Sequence, residues 1–64
     1  MITDIEMDTI ASYMDDEIRE DLNADLAPCS NEYFLTEYVK CDPDFDVLLM
    51  NEFNIDIDEI AEIH

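Results

Sequence analysis

The chain is 64 residues long and carries 19 Asp or Glu against 2 Lys or Arg, a formal net charge of −17. That balance excludes a basic nucleic-acid binder and an anchor on anionic membranes, while 48% apolar residues is too many for an acidic disordered tail. Glycine is absent, so tight hairpin turns lack their usual residue and an all-α fold of four or five short helices is expected, as one domain over residues 1–64.

Thr3-Asp4-Ile5-Glu6 fits a capping box, with Thr3 as N-cap and Glu6 reaching back, and Ile2 with Met7 forms its hydrophobic staple. Met7, Ile10, Ala11 and Met14 then recur at helical spacing. A second apolar series, Ile18, Leu22 and Leu26, runs up to Pro28, which ends the helix because the residue before a proline is pushed out of the α region. A break near Met14 is expected, with Asp15 or Asp16 capping the new start. Ser30 is the next N-cap, opening a helix to about Lys40 with Phe34, Leu35, Tyr38 and Val39 on one face and Cys29 with Phe34 as staple. Asp42-Pro43 reads as N-cap followed by first helical residue. That helix turns Phe45, Leu48, Leu49 and Phe53 inward, and Asn54 supplies a left-handed cap. A last box, Asp56-Ile57-Asp58-Glu59, with Ile55 and Ile60 as staple, opens a terminal helix whose Ile60 and Ile63 face inward. At this size stability is marginal and depends on the caps.

Little in the sequence points to catalysis or metal binding. Carboxylates are abundant everywhere, whereas an acid–base pair needs two distinct environments. The single histidine, His64, is the last residue, and there is no Gly-rich phosphate loop. Asp42, Asp44 and Asp46 match the first ligand positions of a calcium loop, but Val47 stands where its Gly belongs and Phe53 where its Glu belongs. Cys29, Cys41 and His64 lack zinc-ligand spacing. No enzymatic activity, metal or cofactor is therefore expected. Cys29 and Cys41 read as reduced, buried thiols. On one helix their Cα atoms would lie roughly 18 Å apart, beyond the reach of a disulfide.

The charge is the informative feature. Asp15, Asp16, Glu17, Glu20, Asp21 and Asp25 fall within eleven residues. Side chains three or four apart are surface neighbours on a helix, about 5–6 Å between Cβ atoms, a spacing comparable to that of successive phosphates on a nucleic-acid strand. Each such like-charge pair is destabilising, a sizeable penalty for so small a domain. Carboxylates at helix starts have a structural reason, since they favour the helix dipole, and Asp42 and Asp56 read as caps. Glu20, Asp21 and Asp25 lie beyond the first turn and have no such reason. Asp44, Asp46, Asp58 and Glu59 extend the negative surface, with Asp4 and Asp8. A solvated face or a salt-adapted composition is the plain alternative for the Asp15–Asp25 cluster.

In size, charge ratio and the acidic run Asp15-Asp16-Glu17-Ile18-Arg19-Glu20-Asp21, the chain resembles small acidic phage proteins that mimic DNA, notably anti-CRISPR and anti-restriction proteins. The resemblance implies a DNA-mimic inhibitor that occupies a basic nucleic-acid-binding surface of a CRISPR effector complex, with a multi-subunit Cascade-type effector favoured. It would act as a monomer in the bacterial cytoplasm, without binding nucleic acid directly or engaging a membrane. The expected contact residues are Asp15, Asp16, Glu17, Glu20, Asp21, Asp25, Asp44, Asp46, Asp58 and Glu59. No signal peptide is expected, since no basic n-region precedes an apolar stretch, and the longest apolar run, Val47-Leu48-Leu49-Met50, is far short of the roughly 20 residues of a membrane span. An anti-restriction DNA mimic is one alternative within the same class; the reading from a different class is a small helical protein-binding module, an antitoxin or adaptor neutralising a basic partner protein, with Tyr13, Tyr33 and Tyr38 as candidate anchors. Salt separates the two: a mimic of DNA loses affinity steeply as salt rises, a groove-binding adaptor does not.

Overall fold

Local capping chemistry sets the element boundaries. In the computed structural model, which describes residues 2–26 and 28–63 with side chains as far as Ala61, five helices follow one another: α1 (Asp4–Ala11), α2 (Asp16–Leu26), α3 (Asn31–Cys41), α4 (Phe45–Phe53) and α5 (Ile57–Ile63). No strand occurs among the described residues. The fold is the expected all-α one. Expectations for the Ile63 side chain and for His64 lie outside the described residues.

Thr3 caps α1 through a complete reciprocal box: its hydroxyl accepts the Glu6 N–H at 3.1 Å and the Glu6 carboxylate accepts the Thr3 N–H. The break after α1 falls at Ser12–Asp15, so the first two helices are separate. Asp15 caps α2, its Oδ1 accepting the N–H groups of Glu17 at 3.0 Å and Ile18 at 3.1 Å. Ser30 caps α3 by accepting the Tyr33 N–H at 3.1 Å. Asn54 is the left-handed residue after α4, at φ 54° and ψ 39°. There its N–H donates to the Met50 carbonyl and the next N–H, of Ile55, to that of Leu49, both at 3.1 Å. Asp56 opens α5 by accepting the Asp58 N–H at 3.0 Å.

Two expectations are corrected. Asp42 does not cap α4 with its side chain: it terminates α3, and its carboxylate accepts the Tyr38 hydroxyl at 3.1 Å. A partner one turn back holds that carboxylate, so α4 begins at Phe45 after a tight turn closed by Phe45 N–H to the Asp42 carbonyl and Asp46 N–H to the Pro43 carbonyl. Cys29 and Cys41 are free thiols as expected, but both are exposed rather than buried. Each sits beside an end of α3, where the backbone leaves the core, and Cys29 therefore makes no buried staple with Phe34.

The core consists of Ile2, Ile10, Met14, Phe34, Leu35, Tyr38, Phe45 and Leu49. Helix α3 supplies three of these eight and packs against both α2 and α5. Helix α2 supplies none. It lies on the core through half-buried Ile18 and Leu22, which leaves its opposite face in water. Tyr38 is fully buried and joins three segments. Its hydroxyl accepts the Asp15 N–H at 2.7 Å and donates to Asp42, while its ring meets Phe45 edge-on at 4.7 Å between centroids. The N-terminal strap is held to α3 in the same way, with Ile2 N–H donating to the Glu32 carboxylate and the Asn31 amide donating to the Ile2 carbonyl and the Asp4 carboxylate.

Candidate partner-binding surface

With Ile18, Leu22 and Leu26 half-buried along one side of α2, the first two against the core, the 3.6-residue period carries most of the helix's carboxylates round to the other side. Asp16, Glu17, Glu20 and Asp21 therefore form one outward face, with Asp25 on its flank, and all five are exposed. Asp16 and Glu20 lie four apart, as do Glu17 and Asp21, and Asp21 and Asp25, so each pair is made of surface neighbours. One cation touches this face: the Arg19 guanidinium reaches Asp16 at 3.1 Å, from a side chain that is itself half-buried. Glu17, Glu20, Asp21 and Asp25 make no ion pair among the described residues. Asp15 is exposed but committed to capping α2, so its carboxylate has a structural task as well.

The chain's other cation, Lys40, is held by Glu37 on α3 at 2.6 Å. The hydrogen bond and the charge of Glu37 raise the Lys40 pKa above its ordinary value. Neither cation is thus free to neutralise the α2 face beyond Asp16.

The other four expected contact residues form a second set. Asp44 stands at the start of α4 without making a side-chain cap, Asp46 is in its first turn, and Asp58 and Glu59 are in the first turn of α5. All are exposed. Asp46 and Asp58 line one groove between α4 and the start of α5, while Asp44 lines a neighbouring hollow beside Val47. Of the tyrosines, Tyr38 belongs to the core, whereas Tyr13 and Tyr33 are exposed, Tyr13 meeting Phe53 edge-on at 5.7 Å. Unforeseen from sequence was the exposure of Val47 and Met50 on α4.

A family model described as anti-CRISPR protein AcrIC5 matches residues 3–41, more than half of the chain and the whole span from the first cap to the end of α3. The chain belongs to this anti-CRISPR family. Comparison with curated proteins and with solved structures gave no match. Membership makes the chain an anti-CRISPR protein, whose partner is a component of a CRISPR–Cas system and whose place of action is the host cell. Among the described residues no helix is long and apolar enough to cross a membrane. The acidic face of α2 lies inside the matched segment; the second set of carboxylates, on α4 and α5, lies outside it.

Self-repulsion on this anti-CRISPR protein has a measurable consequence. Added salt screens the like-charge neighbours along α2, and the thermal midpoint is expected to rise by on the order of 5 °C between low and high ionic strength. A midpoint that stays flat through a salt titration followed by circular dichroism would show that the carboxylates do not strain the fold.

Proposed function

We propose that this anti-CRISPR protein is a DNA mimic that occupies a basic nucleic-acid-binding surface of a Cascade-type effector complex and so blocks binding of target DNA. The observation that carries the reading is the outward face of α2, where Asp16, Glu17, Glu20 and Asp21 stand exposed and all but Asp16 unpaired among the described residues. Phosphate contacts supply much of the affinity of protein for DNA and need no base to be read. A rigid helix carrying carboxylates at neighbouring positions presents a comparable row of anions.

In this reading the protein acts as a monomer in the bacterial cytoplasm, catalyses nothing, needs no cofactor and touches neither nucleic acid nor membrane itself. Inhibition is occupancy. The partner's lysines and arginines, which release counterions on meeting DNA, release them on meeting the inhibitor instead. The test is competition. A purified Cascade-type effector is titrated with labelled target duplex, with and without an excess of the protein. The expected result is displacement of the duplex, with inhibitor affinity falling steeply as salt rises. Undiminished duplex binding in the presence of bound inhibitor would refute mimicry while leaving the family assignment intact.

A further inference from the structure

Helix α4 buries Phe45 and Leu49 but turns two further apolar side chains outward: Val47 is 59% exposed and Met50 44% exposed. Five large apolar side chains are exposed among the described residues, Ile5, Tyr13 and Tyr33 besides these, and Val47 and Met50 are the two that share one helix. They do not stand alone. Val47 and Met50 form one wall of an open groove of about 290 Å³ whose other wall is Ile55 and the start of α5, and whose rim carries the carboxylates of Asp46, Asp56 and Asp58. The chain's two Lys and Arg residues are elsewhere, Arg19 paired on α2 and Lys40 paired on α3.

We propose that this α4–α5 groove is a second docking surface, which takes an apolar side chain flanked by lysines or arginines from the CRISPR–Cas partner. The inference rests on the proposed function and adds to it a contact of a different chemistry from the α2 face. The lining selects the occupant: apolar side chains beside three carboxylates, with Asn51 the one neutral polar residue and no cation, are complementary to a basic segment with an apolar anchor. A second copy of this chain is disfavoured by the same charges, since an interface between two molecules of net charge −17 would press like-charged rims together. The groove lies beyond the segment shared with the family, residues 3–41. An apolar groove is suited to anchor the inhibitor on its target after electrostatic capture by α2. Long-range charge sets the rate of encounter and buried apolar contact slows release.

The test measures binding of a purified Cascade-type effector by the full chain, at low and at high salt. The double variant Val47→Thr with Met50→Gln is expected to lose about tenfold in affinity, mainly through faster dissociation, and the loss is expected to persist at high salt because an apolar contact is not screened. Neutralising the rim, Asp46→Asn with Asp58→Asn, is expected to lose about threefold at low salt and little at high salt. Both side chains of the first variant are exposed, so helicity and thermal midpoint should match the wild type; should they not, the rim variant decides by itself. Wild-type affinity in a folded variant would overturn the groove while leaving the mimic reading standing. A wild-type dimer in sedimentation that the double variant abolishes would assign the groove to a second copy and overturn the proposal as well. Failure of the wild-type protein to bind the effector would instead remove the proposed function and this inference with it.

Discussion

Replacing Glu17, Glu20 and Asp21 together with lysine is expected to weaken binding of the CRISPR–Cas partner at least about a hundredfold, and at the same time to make the inhibitor more stable. The two effects have one origin. On the proposed interface three anions that would meet a basic surface become three cations, and like-charge juxtaposition there costs several kcal/mol, where about 1.4 kcal/mol is a factor of ten. On the free molecule the same changes bring the net charge from −17 to about −11, and they turn the repulsion of position 20 with Asp16 and of position 21 with Asp25 into attraction, while positions 17 and 21 stay alike in sign. Lysine is a good helix former, so the helix itself is kept. Matched single changes locate the effect. Glu20→Lys alone is expected to lose about tenfold, and Asp8→Lys, an equal change of net charge on α1, less than about threefold. Asp4 is unsuitable as the control because its carboxylate accepts a hydrogen bond from Asn31 at 3.0 Å. Equal losses from Glu20→Lys and Asp8→Lys, measured by titration against the same effector, would mean that net charge alone acts and that α2 is no special face.

The α2 face is the part of the candidate site that the sequence displays openly. Ile18, Leu22 and Leu26 fix which side of the helix meets the core, and once that is known Glu17, Glu20 and Asp21 have nowhere to point but outward. The caps at Thr3, Ser30 and Asn54 are legible for a similar reason, since each joins a side chain or a left-handed residue to backbone groups within four or five positions. What escapes the sequence is whatever depends on distant partners. Asp42 followed by Pro43 has the form of a helix start, yet its carboxylate is claimed by the hydroxyl of Tyr38, whose position is set by burial of the whole α3 face. Cys29 and Cys41 are residues that usually go inside, but the core is filled without them and they fall where α3 meets its connections. The α4–α5 groove is invisible in one dimension for the same cause. Val47 and Met50 are off the inward stripe of α4, but only the approach of Ile55 and α5 turns that face into a concavity.

The second large effect concerns the fold, and it centres on Tyr38. Tyr38→Phe is expected to cost about 1–3 kcal/mol and to lower the thermal midpoint by roughly 4–8 °C for each kcal/mol lost. The ring would still fill its place against Phe45, so the loss measures the hydroxyl. That oxygen accepts the Asp15 N–H at 2.7 Å and donates to the Asp42 carboxylate, bonds that link positions 23 and 4 residues away. Without it the Asp15 N–H and one carboxylate oxygen of Asp42 lose a partner, and the turn that launches α2 is released from α3. The same hydroxyl gives the fold a dependence on alkaline pH. Burial raises the Tyr38 pKa above its ordinary value; the Asp15 N–H opposes this, and the hydrogen bond and charge of Asp42 with the charge of Asp15 add to it. An acid whose pKa is higher in the folded than in the unfolded chain stabilises the fold fully while both states are protonated, that is, below about pH 10. As pH rises beyond that value the unfolded chain ionises first, and the contribution is lost on the way to the folded pKa. Wild-type stability should therefore decline above about pH 10 more steeply than that of Tyr38→Phe, so that the gap between the two narrows. Denaturant melts of both proteins at neutral and alkaline pH provide the check. Parallel alkaline declines, or a phenylalanine variant as stable as the wild type at neutral pH, would show that the buried hydroxyl does not hold α2 in place, and with it that the orientation of the acidic face rests on packing alone.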